Sequence, residues 1–186
     1  MMEAAEPRKR NAGATRDRIL AAAQRAFSVG GYDQTGIRDI AAIAEVSSTL
    51  LLRYFGSKAG LFEAAMTEAV RLDAIFAEGR AHFGTHVAAL LLREDLDVKP
   101  PVLIAISAGD PQAREITARV TEAHVIAPLA EWLGPPDARA RAEQITMLAT
   151  GFVIYARQLP LRPTAGTDPA VLAWFAGSLQ AIVDRS

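Results

Sequence analysis

Apolar residues return at every third or fourth position along this chain, and no stretch alternates between apolar and polar over the length of a strand. That spacing points to helices alone. Thr15–Val29 sets Ile19, Leu20, Ala23, Ala26 and Phe27 on one stripe, and Gly30-Gly31 stops it as a left-handed C-cap. Thr35 is the expected N-cap of a short second helix, with Ile37, Ile40, Ala41 and Ala44 along one side. A third helix begins after Ser47 and buries Leu51 and Phe55. Gly56-Ser57 breaks it, and Ser57 caps a long fourth helix reaching Glu78.

Glycine and proline mark the remaining elements. Gly79 and Gly84 precede a helix around Thr85–Arg93, and Pro100-Pro101 opens another that ends near Gly109. Asp110-Pro111 is an N-cap followed by proline at the first helical position, and starts a helix to Leu133 that Pro128 should kink. After Gly134-Pro135-Pro136, Asp137 is the expected cap of a helix that stops at Pro160. A loop, Leu161–Thr167, leads to Asp168-Pro169 and a final helix to Val183. The chain is all-α, with about nine helices and no internal repeat.

Hydrophobic residues make up 51% of the 186, and charged residues 22%, enough to build a core and too apolar for a disordered chain. Cysteine is absent, which removes disulfides, thiolate metal sites and cysteine nucleophiles together and suits a reducing cytoplasm. Arg8, Lys9 and Arg10 have no apolar stretch behind them, so no signal peptide is expected. No run reaches the roughly 18 apolar residues of a membrane span. The net charge of −1 hides a split, with +3 over residues 1–58 and −4 over the rest. Two jobs on one chain would produce such a division.

Two short helices joined by a tight turn and preceded by a packing helix make a helix-turn-helix. Ile40, Ala44, Val46, Leu51 and Phe55 anchor it on Leu20 and Phe27, leaving Ser48, Thr49, Leu50, Leu52 and Arg53 outward. Arg53 is the best base-edge donor on the second of these helices, and Arg38 on the first adds another. Tyr54 and Lys58 at its end suit phosphates, as do the free N–H groups after Ser57. Spacing alone leaves open a three-helix packing module that never meets DNA.

The stretches T-R-D-R-I-L-A-A-A-Q-R-A-F-S-V-G-G-Y (Thr15–Tyr32), T-G-I-R-D-I-A (Thr35–Ala41) and V-S-S-T-L-L-L-R-Y-F-G-S-K-A-G-L-F (Val46–Phe62) resemble the DNA-binding domain of the TetR (tetracycline repressor) family. The resemblance implies a nine-helix dimer whose C-terminal domain binds a small effector and releases DNA. By the same resemblance, Arg38, Ser48, Thr49, Arg53, Tyr54 and Lys58 occupy positions that touch DNA. Three residues depart from the family pattern. Glu45 stands where the turn usually has glycine, at a strain of roughly 1–2 kcal/mol if held left-handed. Leu52 replaces a tyrosine that would contact phosphate, and Leu50 replaces a small or polar residue. The exposed leucines either touch thymine methyls or signal weak DNA binding.

The expected organisation is a flexible basic arm over residues 1–14, the helix-turn-helix over 15–62, and an effector-binding and dimerisation domain over 63–186. The helix Ala138–Leu159 spreads Ile145, Met147, Leu148, Phe152, Val153 and Ile154 around its circumference. The last helix gathers Val171, Leu172, Phe175, Leu179, Ile182 and Val183 on a broad face. Paired with a second subunit, these two helices would form a four-helix interface; a helix pair inside a monomer is the alternative. Candidate pocket residues are Met66, Phe76, Phe83, Ile104, Ser107, Trp132, Met147 and Tyr155, although ordinary core packing explains each as well. His82 and His86 have a metal-ligating spacing without a completing ligand, so no metal is expected. Arg157, in an apolar stretch, could pair with an acidic ligand or within the fold. No GxSxG, HExxH, P-loop or GxGxxG occurs, and neither an enzyme nor a cofactor is expected.

The resulting expectation is a cytoplasmic homodimeric repressor. It would grip an inverted-repeat DNA operator, leave it on binding a small apolar effector, and have no membrane partner. The alternative is a small-molecule-binding helical dimer with a weak or vestigial DNA head.

Overall fold

The computed structural model describes residues 6–70, 72–93, 99–159 and 168–185. The loop Leu161–Thr167, the stop at Pro160 and residues 1–5 of the expected arm lie outside them. The elements are α1 (Glu6–Gln34), α2 (Ile37–Ile43), α3 (Ser48–Phe55), α4 (Lys58–Ala69), α5 (Asp73–Phe76), α6 (Phe83–Leu92), α7 (Lys99–Ser107), α8 (Pro111–Thr121), α9 (Ala127–Leu133), α10 (Ala138–Val153) and α11 (Pro169–Val183). A π turn, Glu122–Ile126, joins α8 to α9, and a second, Ile154–Gln158, extends α10. Taking α8–α9 as one helix and the short α5 as a linker, the described residues carry the nine helices expected and no strand.

Contacts divide the chain into two compact units. The first holds residues up to Ala69 together with Ile106–Thr117; the second holds Val70–Ala105 and Ala118 onward. In the first, α1 presents Ile19, Leu20, Ala22, Ala23 and Phe27, all essentially inaccessible to water, to α2 and α4. Phe27, Tyr32 and Phe62 form an aromatic trio, with Phe62 edge-on to both others at 5.0 and 5.1 Å. Gly31 breaks α1 at φ 69°, ψ 178°, a conformation open essentially to glycine alone. The α1 helix begins at Glu6, upstream of Thr15, so residues 6–14 of the expected arm continue it. Pro7 is tolerated there because first-turn N–H groups have no intrahelical partner.

Several caps differ from those expected. Thr35 does not cap α2; Gly36 does, with its N–H donated to Asp39 Oδ2 at 3.1 Å. The Thr35 hydroxyl instead faces the carbonyls of Gly31 and Ala26 at 2.6 and 3.2 Å, closing the end of α1. The carbonyls freed by the Gly31 break are the nearer acceptors. The fourth helix ends at Ala69 rather than Glu78, at a point no glycine or proline marks. Asp110 and Asp168 do cap α8 and α11, accepting from Ala113 at 2.8 Å and Ala170 at 2.9 Å.

In the second unit α6, α9, α10 and α11 share one core. Phe83, Val87, Leu129, Leu133, Ile145, Val153, Phe175 and Leu179 lie at its centre. Phe152 and Phe175 stack with centroids 4.0 Å apart. Gly84 lets α6 run against α11, since a Cβ there would fall 2.1 Å from the Ala176 carbonyl oxygen. Asp137 sits left-handed at φ 51° and makes no side-chain cap, contrary to expectation. In place of a cap, the helix start is held by Arg141, which is buried. Its guanidinium donates to Gly134 O and Pro136 O at 3.1 Å, Ile182 O at 2.8 Å and Val183 O at 2.7 Å. At Pro128, where a kink is expected, a π turn lies just upstream, in which Ala127 N–H reaches back to Glu122 O. The wider turn moves the backbone bonding out of step with a residue that has no N–H to give.

Candidate nucleic-acid interface

The turn between α2 and α3 is built from backbone bonds. Glu45 N–H donates to Ala42 O at 3.1 Å and Val46 N–H to Ala41 O at 3.0 Å. This closure requires a left-handed residue between the helices, and Glu45 supplies it at φ 52°. Ser47 then caps α3 by accepting from Leu50 N–H at 3.1 Å. Ile40, Ala44 and Leu51 are fully buried beneath the pair, while Val46 and Phe55 are half-buried. Gly60 allows α4 to start tight against α3, because a Cβ there would lie 2.3 Å from Phe55 O. Ser57 caps that start, accepting from Gly60 N–H at 3.0 Å.

The candidate DNA-contacting residues are distributed unevenly over this frame. Arg38 on α2 and Thr49 and Arg53 on α3 are exposed, and Ser48 is half-buried. Leu52 is 40% exposed and Leu50 half-buried. Tyr54 and Lys58 are turned to other work. The Tyr54 hydroxyl donates to Ala12 O of α1 at 3.3 Å. The Lys58 ammonium donates to Asp33 O at 3.2 Å and lies 4.5 Å from the centre of the Tyr32 ring. Both thus bind the ends of α3 and α4 back to α1.

Tyr32 itself was not singled out by the spacing argument. Its hydroxyl donates to Gln112 Oε1 at 2.7 Å, which pins the end of α1 to the start of α8 within this unit. Burial, aided by the nearby Asp110 carboxylate, raises its phenol above the ordinary tyrosine range. Only a fold brings residues so distant in sequence together. Arg16, over the Phe55 ring at 5.9 Å, is a further α1–α3 tie of the same kind.

Of the candidate pocket residues in the second unit, Phe76, Phe83 and Trp132 come together. Trp132 lies 5.0 Å from Phe76 and 5.1 Å from Phe83, with the Arg80 guanidinium 5.2 Å from its ring centre. Arg80 also donates to Trp132 O and Leu133 O, closing the end of α9. Ile104 is half-buried on α7. Met147 and Tyr155 are 70% and 59% exposed on α10 and its extension. Met66 and Ser107 are buried in the first unit. Arg157 donates to Leu91 O at 3.1 Å. His86 bonds through Nε2 to Ala74 O at 2.6 Å, and no metal-binding cluster of acids and histidines occurs among the described residues.

The sequence matches two family models. Residues 19–65 match the bacterial regulatory proteins of the tetR family, and residues 81–183 match the tetracyclin repressor-like C-terminal domain. The chain belongs to the TetR family. TetR-family proteins are transcription regulators rather than enzymes, in keeping with the helix-turn-helix of α2 and α3. A comparison with curated proteins finds no significant match. Among solved structures, a TetR-family regulator from Rhodococcus sp. is similar, with a TM-score of 0.69 at 22% identity, covering 92% of this chain and 100% of that one. A TetR-family regulator from Streptomyces coelicolor A3 is 27% identical over 92% of this chain and 95% of its own, with a TM-score of 0.56. NalD of Pseudomonas aeruginosa, the secondary repressor of the MexAB-OprM multidrug efflux pump, is 19% identical with a TM-score of 0.59, over 91% and 97%. At such identities the first and third likenesses speak for the fold. Among the described residues no helix is long and apolar enough to cross a membrane.

Proposed function

We propose that this TetR-family chain is a cytoplasmic homodimeric repressor that holds an inverted-repeat operator and is released by a small apolar effector. The observation that carries the DNA half is the face of α3 opposite Leu51. It exposes Thr49 and Arg53 on a fully assembled helix-turn-helix. Arg38, Ser48, Thr49 and Arg53 contact the duplex directly, while Tyr54 and Lys58 add to phosphate binding only as far as their ties to α1 allow. A repressor function is what NalD carries in its name.

Dimerisation is supported by α11, which contains no charged residue. Its exposed positions are Pro169, Ala170, Ala173, Trp174, Gly177 and Ala181, with Trp174 60% exposed. Met147 and Tyr155 add apolar surface on α10 and its extension. A helix face without charge in water marks a partner surface. For the effector, the half-buried Phe76 and Trp132, packed against the buried Phe83, are the candidate aromatic residues that come together in the second unit.

The test is a gel shift at low salt against DNA upstream of the protein's own gene. A retarded complex that weakens steeply with salt supports the reading; a folded dimer that binds no DNA defeats it. The exposed Leu52 favours the second reading, a ligand-binding dimer with a vestigial head. If Leu52→Tyr binds DNA and the native chain does not, that reading replaces the first.

A further inference from the structure

Leu50 and Leu52 look alike in sequence but do different things on α3. Leu51 is completely buried and Phe55 half-buried, so the inward direction lies between them. At about 100° per residue, the opposite direction is that of Arg53, with Thr49 one turn before it. Leu50 falls beside Arg53 on one flank. Leu52 falls on the other, about 160° around the helix from Leu50. The two leucines therefore cannot serve one contact.

Leu50, Arg53 and Tyr54 line a single open concavity of about 320 Å³. Their i, i+3, i+4 spacing makes them surface neighbours. Tyr54 is tied through its hydroxyl to Ala12 O, which steadies that wall of the concavity. What the concavity offers is hydrocarbon from Leu50 and a planar donor fork from Arg53, side by side. In the major groove only thymine projects a methyl group among the unmodified bases, and only guanine sets two acceptors, O6 and N7, where a guanidinium can reach both. Leucine has no hydrogen bond to give to a phosphate or a base edge, so its favourable partner in the groove is apolar.

We propose that Leu50 and Arg53 read a thymine–guanine step, with Leu50 against the thymine C5-methyl and Arg53 bidentate on the adjacent guanine. The proposal rests on the DNA-binding reading above. It assigns Leu52 no part in base choice. The Cβ separation of an i, i+3 pair, about 5–6 Å, exceeds the 3.4 Å rise between bases. The longer, more flexible arginine covers that difference.

The experiment selects half-sites from a randomised duplex library with the full-length protein. Binding to the selected duplex is then measured by fluorescence anisotropy at fixed salt. Duplexes carrying deoxyuridine in place of each thymidine, or 7-deazaguanine in place of each guanine, are compared with native and Leu50→Ala or Arg53→Ala proteins. At one thymine beside a guanine, loss of the methyl weakens native binding about fourfold and leaves Leu50→Ala binding unchanged. Loss of N7 at the neighbouring guanine weakens native binding about tenfold and leaves Arg53→Ala unchanged. Because the base analogues alter only the DNA, the native protein shows whether such a step is read, and the milder Leu50→Val, whose deoxyuridine penalty should also shrink, assigns the contact should Leu50→Ala fold poorly. Selected sites without a thymine–guanine step, or a deoxyuridine penalty undiminished by Leu50→Ala, overturn the proposal. A library with no enrichment at low salt overturns DNA binding itself.

Discussion

At Glu45 the chain holds a side chain where the backbone is left-handed, at φ 52°. The strain is roughly 1–2 kcal/mol, and part of any gain from glycine is returned through the freer unfolded chain. Glu45→Gly should therefore stabilise the protein by about 0.5–1 kcal/mol, raising Tm by roughly 1–4 °C in a thermal melt. A lower Tm would mean that Glu45 makes an offsetting contact. Tyr32 supplies a second residue-scale prediction. Burial first, and Asp110 second, raise its phenol pKa. Its folded value lies above the unfolded value of about 10, so the stability it contributes is complete below pH 10 and lost as pH rises through the folded value. Denaturant midpoints should fall faster with alkaline pH in the native chain than in Tyr32→Phe. That variant keeps the ring under Lys58 but loses the ionisable group and the bond to Gln112, at a cost near neutral pH of about 1 kcal/mol. Parallel curves for the two proteins would show that Tyr32 ionisation does not drive the loss.

Among the elements, α11 is held by two features from distant parts of the second unit. Arg141 places a cation on the carbonyl end of the helix, donating to Ile182 O and Val183 O, where the helix dipole favours positive charge. It also holds the Gly134–Pro136 loop. Arg141→Met keeps most of the volume and strands those acceptors, so unfolding in guanidinium should show a loss of about 3 kcal/mol. A loss under about 1 kcal/mol would mean that water replaces the guanidinium. Gly84 acts at the crossing of α6 and α11, where an added Cβ would meet Ala176 backbone. Because backbone cannot give way as a flexible side chain does, Gly84→Ala should cost about 1–3 kcal/mol in the same assay. An unchanged midpoint would show that the helices separate freely.

For the whole molecule, the bare face of α11 is the feature that calls for a partner. A monomer would leave Trp174 60% exposed on a helix without a single charge. Trp174→Glu should shift the protein from dimer to monomer in sedimentation at micromolar concentration, and should weaken DNA binding because one head reads only one half-site. A sedimentation profile identical to the native one would place the interface elsewhere. The opposite charges of residues 1–58 and of the rest of the chain suit the same division of labour, with the positive head meant for a polyanion.

Helix number, the helix-turn-helix and the outward position of Arg53 were legible in the sequence because they depend on local rules: a 3.6-residue period, caps, and glycine at breaks. The all-α class followed directly. What the period does not encode is which polar group meets which distant partner. Thr35 closes α1 instead of opening α2, Tyr54 and Lys58 turn to α1 rather than stand free, and Arg141 takes the place of a cap at Asp137. Each is decided by which acceptors the packed helices bring near, and for the buried Thr35 and Arg141 a polar atom taken from water must find one. The same holds for the candidate ligand residues, which a shared apolar character grouped on paper and the tertiary structure dispersed between core and surface. The sequence by itself determined that this chain is a set of helices with a DNA-reading pair at its start. Only the tertiary structure decided that Tyr54 and Lys58 are drawn to α1, because their acceptors, Ala12 O and Asp33 O, stand 42 and 25 residues away in sequence and packing alone brings them within reach.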